Sequence, residues 1–144
     1  MTTIEWNNIN DAEELSFENQ TIECKVVSVY DGDTIKIIFM LHDHMYKWNC
    51  RLTGIDTPEL RTKCDNEKKY GYLVRDELRK RILNQVVHAK CGKFDKYGRL
   101  LVEITCIGEE CSVNKWLIDN GYAFAYDGGT KKKWSEYLKD KNGF

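Results

Sequence analysis

Proline is nearly missing from this chain: Pro58 is the single one in 144 residues. That excludes collagen-like and proline-rich linker classes, and ten glycines do not restore them. No apolar run approaches the ~18 residues that a membrane-spanning helix needs. The first ten residues, MTTIEWNNIN, have neither a basic start nor an apolar core, so no signal peptide is read there. Cys-x-x-Cys spacing is also lacking, which makes a zinc ribbon a poor reading of the six cysteines. An even count is compatible with three disulfides in a secreted protein or with reduced, buried thiols. The missing leader favours thiols and an intracellular setting. A basic surplus is lacking as well: 22 Lys and Arg face 23 Asp and Glu, for a net charge of -1. Taken as an average, that argues against a nucleic-acid binder.

What is present is a core. The hydrophobic fraction is 42%, and 4 Trp, 8 Tyr and 5 Phe exceed what a disordered chain carries. The length suits one domain. The charge average conceals a gradient. Residues 1–24 carry six carboxylates and no Lys or Arg, whereas residues 61–100 carry 12 basic and 5 acidic side chains. Without the acidic segment the remainder has a net charge of +5. Residues 1–20 are read as an acidic extension and residues 21–144 as the domain.

Residues 22–30 are rich in valine and read as a strand. After the turn Asp31-Gly32, residues 33–41 alternate Ile35, Ile37 and Phe39 and read as a half-buried strand. His42-Asp43-His44 reads as a solvated turn rather than a metal site, and residues 45–53 return as a third strand. Asp65 or Asn66 is expected to cap a helix running to about Leu83, with Tyr70, Leu73, Val74, Leu78 and Ile82 at helical spacing. Residues 85–90 and 100–107 read as two further strands. Ser112 caps a short helix with Val113, Trp116 and Leu117 inward. Residues 122–126 are extended, and residues 133–140 read as a last helix. The order predicts an α+β, mainly β chain: a five-stranded antiparallel Greek-key barrel of OB type with about three helices.

Four segments carry candidate chemistry. In Asp31-Gly32-Asp33-Thr34, Asp-Gly signals a turn, while Asp33 opens an otherwise apolar strand and faces either solvent or a cation. In residues 51–59, RLTGIDTPE, Pro58 stiffens a loop between Asp56 and Glu59. That loop is either a polar turn or a mount for a metal ligand and a base. In Asp95-Lys96-Tyr97-Gly98-Arg99, Gly98 suits a positive-φ turn and Arg99 opens the next strand. Tyr70-Gly71 implies close packing at the start of the long helix. Taken together, Asp33, Asp56 and a carbonyl such as that of Thr57 supply hard oxygens suited to Ca2+. Glu59 can deprotonate a water. Arg51 and Arg99 present forks that match phosphate oxygens. That combination is what phosphodiester hydrolysis needs.

Five motifs in order, VYDGDTIKI, RLTGIDTPELR, KKYGYLVRDEL, DKYGRLLVEI and LIDNGYAFAY, resemble the staphylococcal nuclease (thermonuclease) family from residue 22 to 126. The resemblance implies Ca2+-dependent cleavage of DNA and RNA that leaves 3′-phosphates. It implies Asp33, Asp56 and the Thr57 carbonyl as metal ligands, with Asp31 as an acid set behind them. Glu59 would be the base, and Arg51 and Arg99 the phosphate arginines. Lys96, Tyr97 and Tyr126 resemble residues lining the nucleotide pocket. A monomer acting on nucleic acid, with no membrane partner, is expected. A barrel of this family that binds without cutting is the alternative.

Overall fold

Alternating apolar residues build the first hairpin. In the computed structural model, which describes residues 3–139, β1 runs Thr21–Val29 and β2 runs Thr34–Leu41. Val26 and Val29 point into the barrel with Ile35 and Ile37, each at most 1% exposed. β3, His44–Leu52, returns from the tip at His42 and Asp43, whose φ values of 50° and 65° match the twist of a tight hairpin. Residues 42–49 are exposed, so the outer part of this hairpin stands clear of the barrel. β4 is the short pair Ile55–Asp56. Helix α1, Asp65–Ile82, follows and buries Tyr70, Val74, Leu78 and Ile82. Then come β5, Val86–Phe94, and β6, Leu100–Cys106. Helix α2 spans Val113–Asp119, β7 spans Phe124–Ala125, and helix α3 spans Trp134–Lys139.

The strands close into a barrel in the order β1-β2-β3-β6-β5, while β4 and β7 form a separate two-stranded sheet. The fold class read from the sequence is what the structure has. Its strands are not all antiparallel, however. β3 and β6 run parallel where Cys50, Arg51 and Leu52 pair with Leu100, Leu101 and Val102. A buried side chain from α2 reinforces this short seam. Asn114 donates to the carbonyls of Thr53 and Val102 at 2.8 and 3.1 Å and accepts from the Ile104 amide at 3.1 Å.

Several local expectations need correction. The N-cap of α1 is Cys64, without a side-chain cap bond; Asp65 lies inside the first turn, where its charge suits the dipole. Of residues 122–126 only Phe124 and Ala125 form a strand. Trp116 is half-buried beneath the Arg81 guanidinium, 4.5 Å from its ring. The last residue of the expected 133–140 helix lies outside the described residues. Ser112 caps α2 as expected, accepting from the Lys115 amide.

All six cysteines are free thiols. Cys24, Cys50 and Cys91 face one another inside the barrel, and burial pushes the Cys24 thiol up to about 12. Such thiols are inert packing groups. The acidic segment is tied at its end. Phe17 packs edge-on against Phe39 and Phe94, and the Asn19 amide donates to Cys91 O at 2.8 Å. Replacing Asn114 with Ala leaves three backbone groups at the seam without their side-chain partner. A loss of roughly 2–4 kcal/mol in urea unfolding is expected. A loss below 1 kcal/mol would show that the seam holds without it.

Candidate functional site

Three loops meet at the mouth of the barrel. The first is the turn between β1 and β2. Asp31 Oδ1 accepts the amides of Asp33 and Thr34 at 3.1 and 2.8 Å, so this carboxylate shapes the turn. Gly32 is required here by close approach: a Cβ would lie 2.8 Å from both Thr57 Cβ and Val74 Cγ1. The turn is thereby pressed against the second loop and α1. The second loop follows β4. Asp56 and Thr57 are buried, and Gly71 of α1 packs against the carbonyls of Pro58 and Glu59, where a Cβ would come within 3.1 Å of both. Glu67 of α1 accepts the Glu59 amide at 2.9 Å and fixes the loop from the other side. The third loop joins β5 and β6. Asp95 accepts the Tyr97 and Arg99 amides, both at 2.9 Å, and Arg99 Nε at 2.7 Å.

Arg51 leans across the mouth from β3, with Nη2 donating to Asp33 Oδ2 at 3.3 Å and to Ile55 O at 3.2 Å. Arg99 stands directly before β6, whose first residues pair with the end of β3. Among the described residues only its Nε is hydrogen-bonded to protein, which leaves the outer guanidinium nitrogens available. Lys96 and Arg99 both stand over the Tyr97 ring, at 5.1 and 5.5 Å, and that ring is 72% exposed. Tyr126 lies just beyond β7, its amide bonded to Gly54 O and its hydroxyl to Gly129 O. Asp31, Asp33, Arg51, Asp56, Thr57 and Glu59 thus gather at the barrel mouth with Tyr126 beside Asp56, while Lys96, Tyr97 and Arg99 stand on the adjoining β5–β6 loop.

Two residues in it were not anticipated. Lys131 Nζ lies 3.4 Å from Asp56 Oδ1 and 4.0 Å from Glu59 Oε1. Trp134 Nε1 donates to Asp56 Oδ2 at 3.3 Å. The Trp134 indole stacks on Phe124 with centroids 4.0 Å apart, so α3 is anchored where β7 meets β4. In sequence the run Lys131-Lys132-Lys133 reads only as charges set against a helix dipole, with no pointer to Asp56 or Glu59.

The carboxylates outnumber their internal cations. Burial, then the Asp31 carboxylate, pushes Asp33 from an ordinary 3.8 up to about 7, against the opposing pull of Arg51 and Thr34. Burial also raises Glu59; Lys131 opposes it, while Asp31, Asp56 and Glu67 add to it. Burial pulls Asp95 upward too, but hydrogen bonds from Arg99 and Tyr97 outweigh it and hold the carboxyl low.

Asp33 and Asp56 offer the hard carboxylate oxygens that a divalent cation takes, although Arg51 and Lys131 already pair with them. Among the described residues no group of three or more His, Cys, Asp or Glu side chains converges on one point. The remaining ligands would be carbonyl and water oxygens.

Asp33 binds its proton more readily in the folded chain than in the unfolded one. Stability therefore falls as pH rises from about 4 to about 7, where the folded protein carries the cost of an ionised, buried acid. Asp33→Asn is expected to raise stability at pH 8 in chelator by roughly 1–3 kcal/mol and to have little effect at pH 4. Equal effects at both pH values would contradict this.

Residues 49–142 match the family model described as staphylococcal nuclease homologue. An uncharacterized protein from Methanocaldococcus jannaschii is 30% identical over 124 residues, covering 71% of this chain and 58% of that protein. A thermonuclease from Staphylococcus hyicus is 33% identical over 103 residues, covering 70% of this chain and 57% of that enzyme. The chain thus spans less than two thirds of the length of either relative. The family model covers well over half of a chain whose five strands close in OB order and whose motif loops gather at one mouth. This chain belongs to the staphylococcal nuclease family.

Proposed function

We propose that this chain is a Ca2+-dependent nuclease that hydrolyses phosphodiester bonds of DNA or RNA. The observation that carries the reading is the pairing of Arg51 with Asp33, on a turn pressed through Gly32 against Thr57, beside Asp56 and Glu59 on a shared Lys131, with Arg99 directly before β6. Asp33, Asp56 and the Thr57 carbonyl would hold the ion, with Asp31 shaping the turn behind them. The ion would supply a Lewis acid for the phosphate and an acidified water. Glu59 takes the proton of the attacking water. Its raised proton affinity suits a base working near neutral pH. Arg51 and Arg99 neutralise the charge that grows on the phosphate oxygens. Water adds to phosphorus, the bond to the 5′ oxygen breaks, and a 3′-phosphate remains. Lys96, Tyr97 and Tyr126 would border the nucleotide. The domain that does this is residues 21–144, with residues 1–20 as an acidic extension. A monomer suffices. Among the described residues no helix is long and apolar enough to cross a membrane.

One observation favours the alternative, a barrel that binds without cutting. Lys131 already sits on Asp56 and Glu59, and Arg51 on Asp33, so the acids are partly neutralised without an ion. In the nuclease reading Lys131 must yield Asp56 to the metal.

Cleavage of single-stranded DNA and of RNA, with Ca2+ and with chelator, followed by end-group analysis, separates the two. Activity is expected with Ca2+, poorly with Mg2+, and not in chelator. Glu59→Gln should lower turnover by about 10²-fold while binding persists. Retention of the parent rate would remove Glu59 as the base. Binding without cleavage in every metal would establish the alternative.

A further inference from the structure

Helix α1 presents more than a packing face. Lys68, Tyr72, Arg75 and Arg79 recur at three- and four-residue spacing and form one stripe, about 16 Å long at 1.5 Å per residue. With Tyr30 and Arg61 they line a cleft of about 430 Å³. The Arg75 guanidinium lies 4.6 Å over the Tyr72 ring. Arg79 is fixed by two hydrogen bonds to Val29 O, at 3.1 and 2.9 Å. Asp76 pairs with Arg75 at 3.0 Å and with Arg79 at 4.0 Å but does not line the cleft. Lys68 and Arg61 have no ion-pair partner among the described residues.

This cleft adjoins a second one at a shared wall residue. Tyr30, which immediately precedes the Asp31 turn, also walls a second cleft of about 260 Å³ containing Lys36, Asn49 and Arg99. Those three residues in turn line a third cleft of about 280 Å³, shared with Lys47, Trp48 and Tyr97. No Asp or Glu lines any of the three. In a chain of net charge -1, three adjoining clefts whose charged lining residues are all cations mark a polyanion path. Arg99 sits on the middle stretch and α1 at one end. Tyr30 and Tyr72 are 53% and 39% exposed beside these cations, and only unpaired bases can stack on such rings or on the Arg75 plane.

We propose that the cleft against α1 is a second contact site for the substrate strand, and that the strand is single-stranded nucleic acid. Arg61 and Lys68 take phosphates removed from the one at Arg99, and Tyr72 with Arg75 takes a base. This rests on the nucleic-acid reading above and extends it from one phosphate to a footprint of several nucleotides.

The test is fluorescence anisotropy in chelator, so that nothing is cut. The full-length chain is titrated with a dinucleotide and with a 12-mer, as DNA and as RNA, across a salt series. Arg61→Ala/Lys68→Ala should weaken 12-mer binding at least fivefold and leave dinucleotide binding unchanged. It should also flatten the dependence of log affinity on log salt by about 1.4, the value for two phosphate contacts on a single strand. Arg61→Lys/Lys68→Arg should restore the 12-mer. Tyr72→Ala should weaken the 12-mer without changing the salt slope. Unchanged 12-mer binding in the double variant, or equal losses at both lengths, would overturn the second site while leaving the nuclease reading standing. Failure of the wild-type chain to bind either length would overturn the nucleic-acid reading itself.

Discussion

The short parallel seam between β3 and β6 is the constraint on which the rest of the structure depends. It closes the barrel and leaves no open strand edge along β3 or β6 near the mouth. It sets the register in which Arg51 faces Leu101, and so places Arg99, two residues earlier, just ahead of the paired stretch. Two arginines separated by 48 positions in sequence are brought onto adjoining segments through three residue pairs. A parallel contact that short is weak by itself. The buried Asn114 amide compensates by bonding to both sides of the seam, and α2 therefore acts as a clasp.

Around that frame the mouth is a crowd of acids held by packing. Gly32 and Gly71 allow the Asp31 turn, the Pro58 loop and α1 to approach more closely than any Cβ would permit. Burial and the neighbouring Asp31 carboxylate outweigh the Arg51 counter-charge at Asp33, whose proton affinity is raised. Lys131 reaches the opposite edge of the cluster from the far end of the chain. It can do so because Trp134 and Phe124 stack and pin the segment that carries it.

Much of the fold was legible in the sequence. Ile35, Ile37 and Phe39 alternate as a half-buried strand must, and Tyr70, Val74, Leu78 and Ile82 keep helical spacing; all seven are buried. Local turn chemistry gave the Asp31-Gly32 and Gly98 reversals. The parallel pairing was not legible, because three residue pairs leave no mark on periodicity. The Cys64 cap was missed because capping side chains stood right beside it at Asp65 and Asn66. At the mouth, residue types carried their own signal, since carboxylates and arginines in stiff loops have few structural uses. Lys131 carried none, because its partners lie 75 and 72 residues away. The groove along α1 was equally hidden: its walls come from three separate segments, and composition sums over them.

The tie at Phe17 has a bearing on how this chain meets proteases. That ring lies against Phe39 and Phe94, and Phe94 in turn meets Trp48 at 5.9 Å. Trp48 Nε1 donates to Gly98 O at 3.0 Å, within the turn that presents Tyr97 and Arg99. The exposed residues 3–15 can be trimmed without touching this chain of contacts. A cut beyond Phe17 removes its first member. The extension therefore has a sacrificial part and a retained part, and the border between them falls inside the acidic segment rather than at its end.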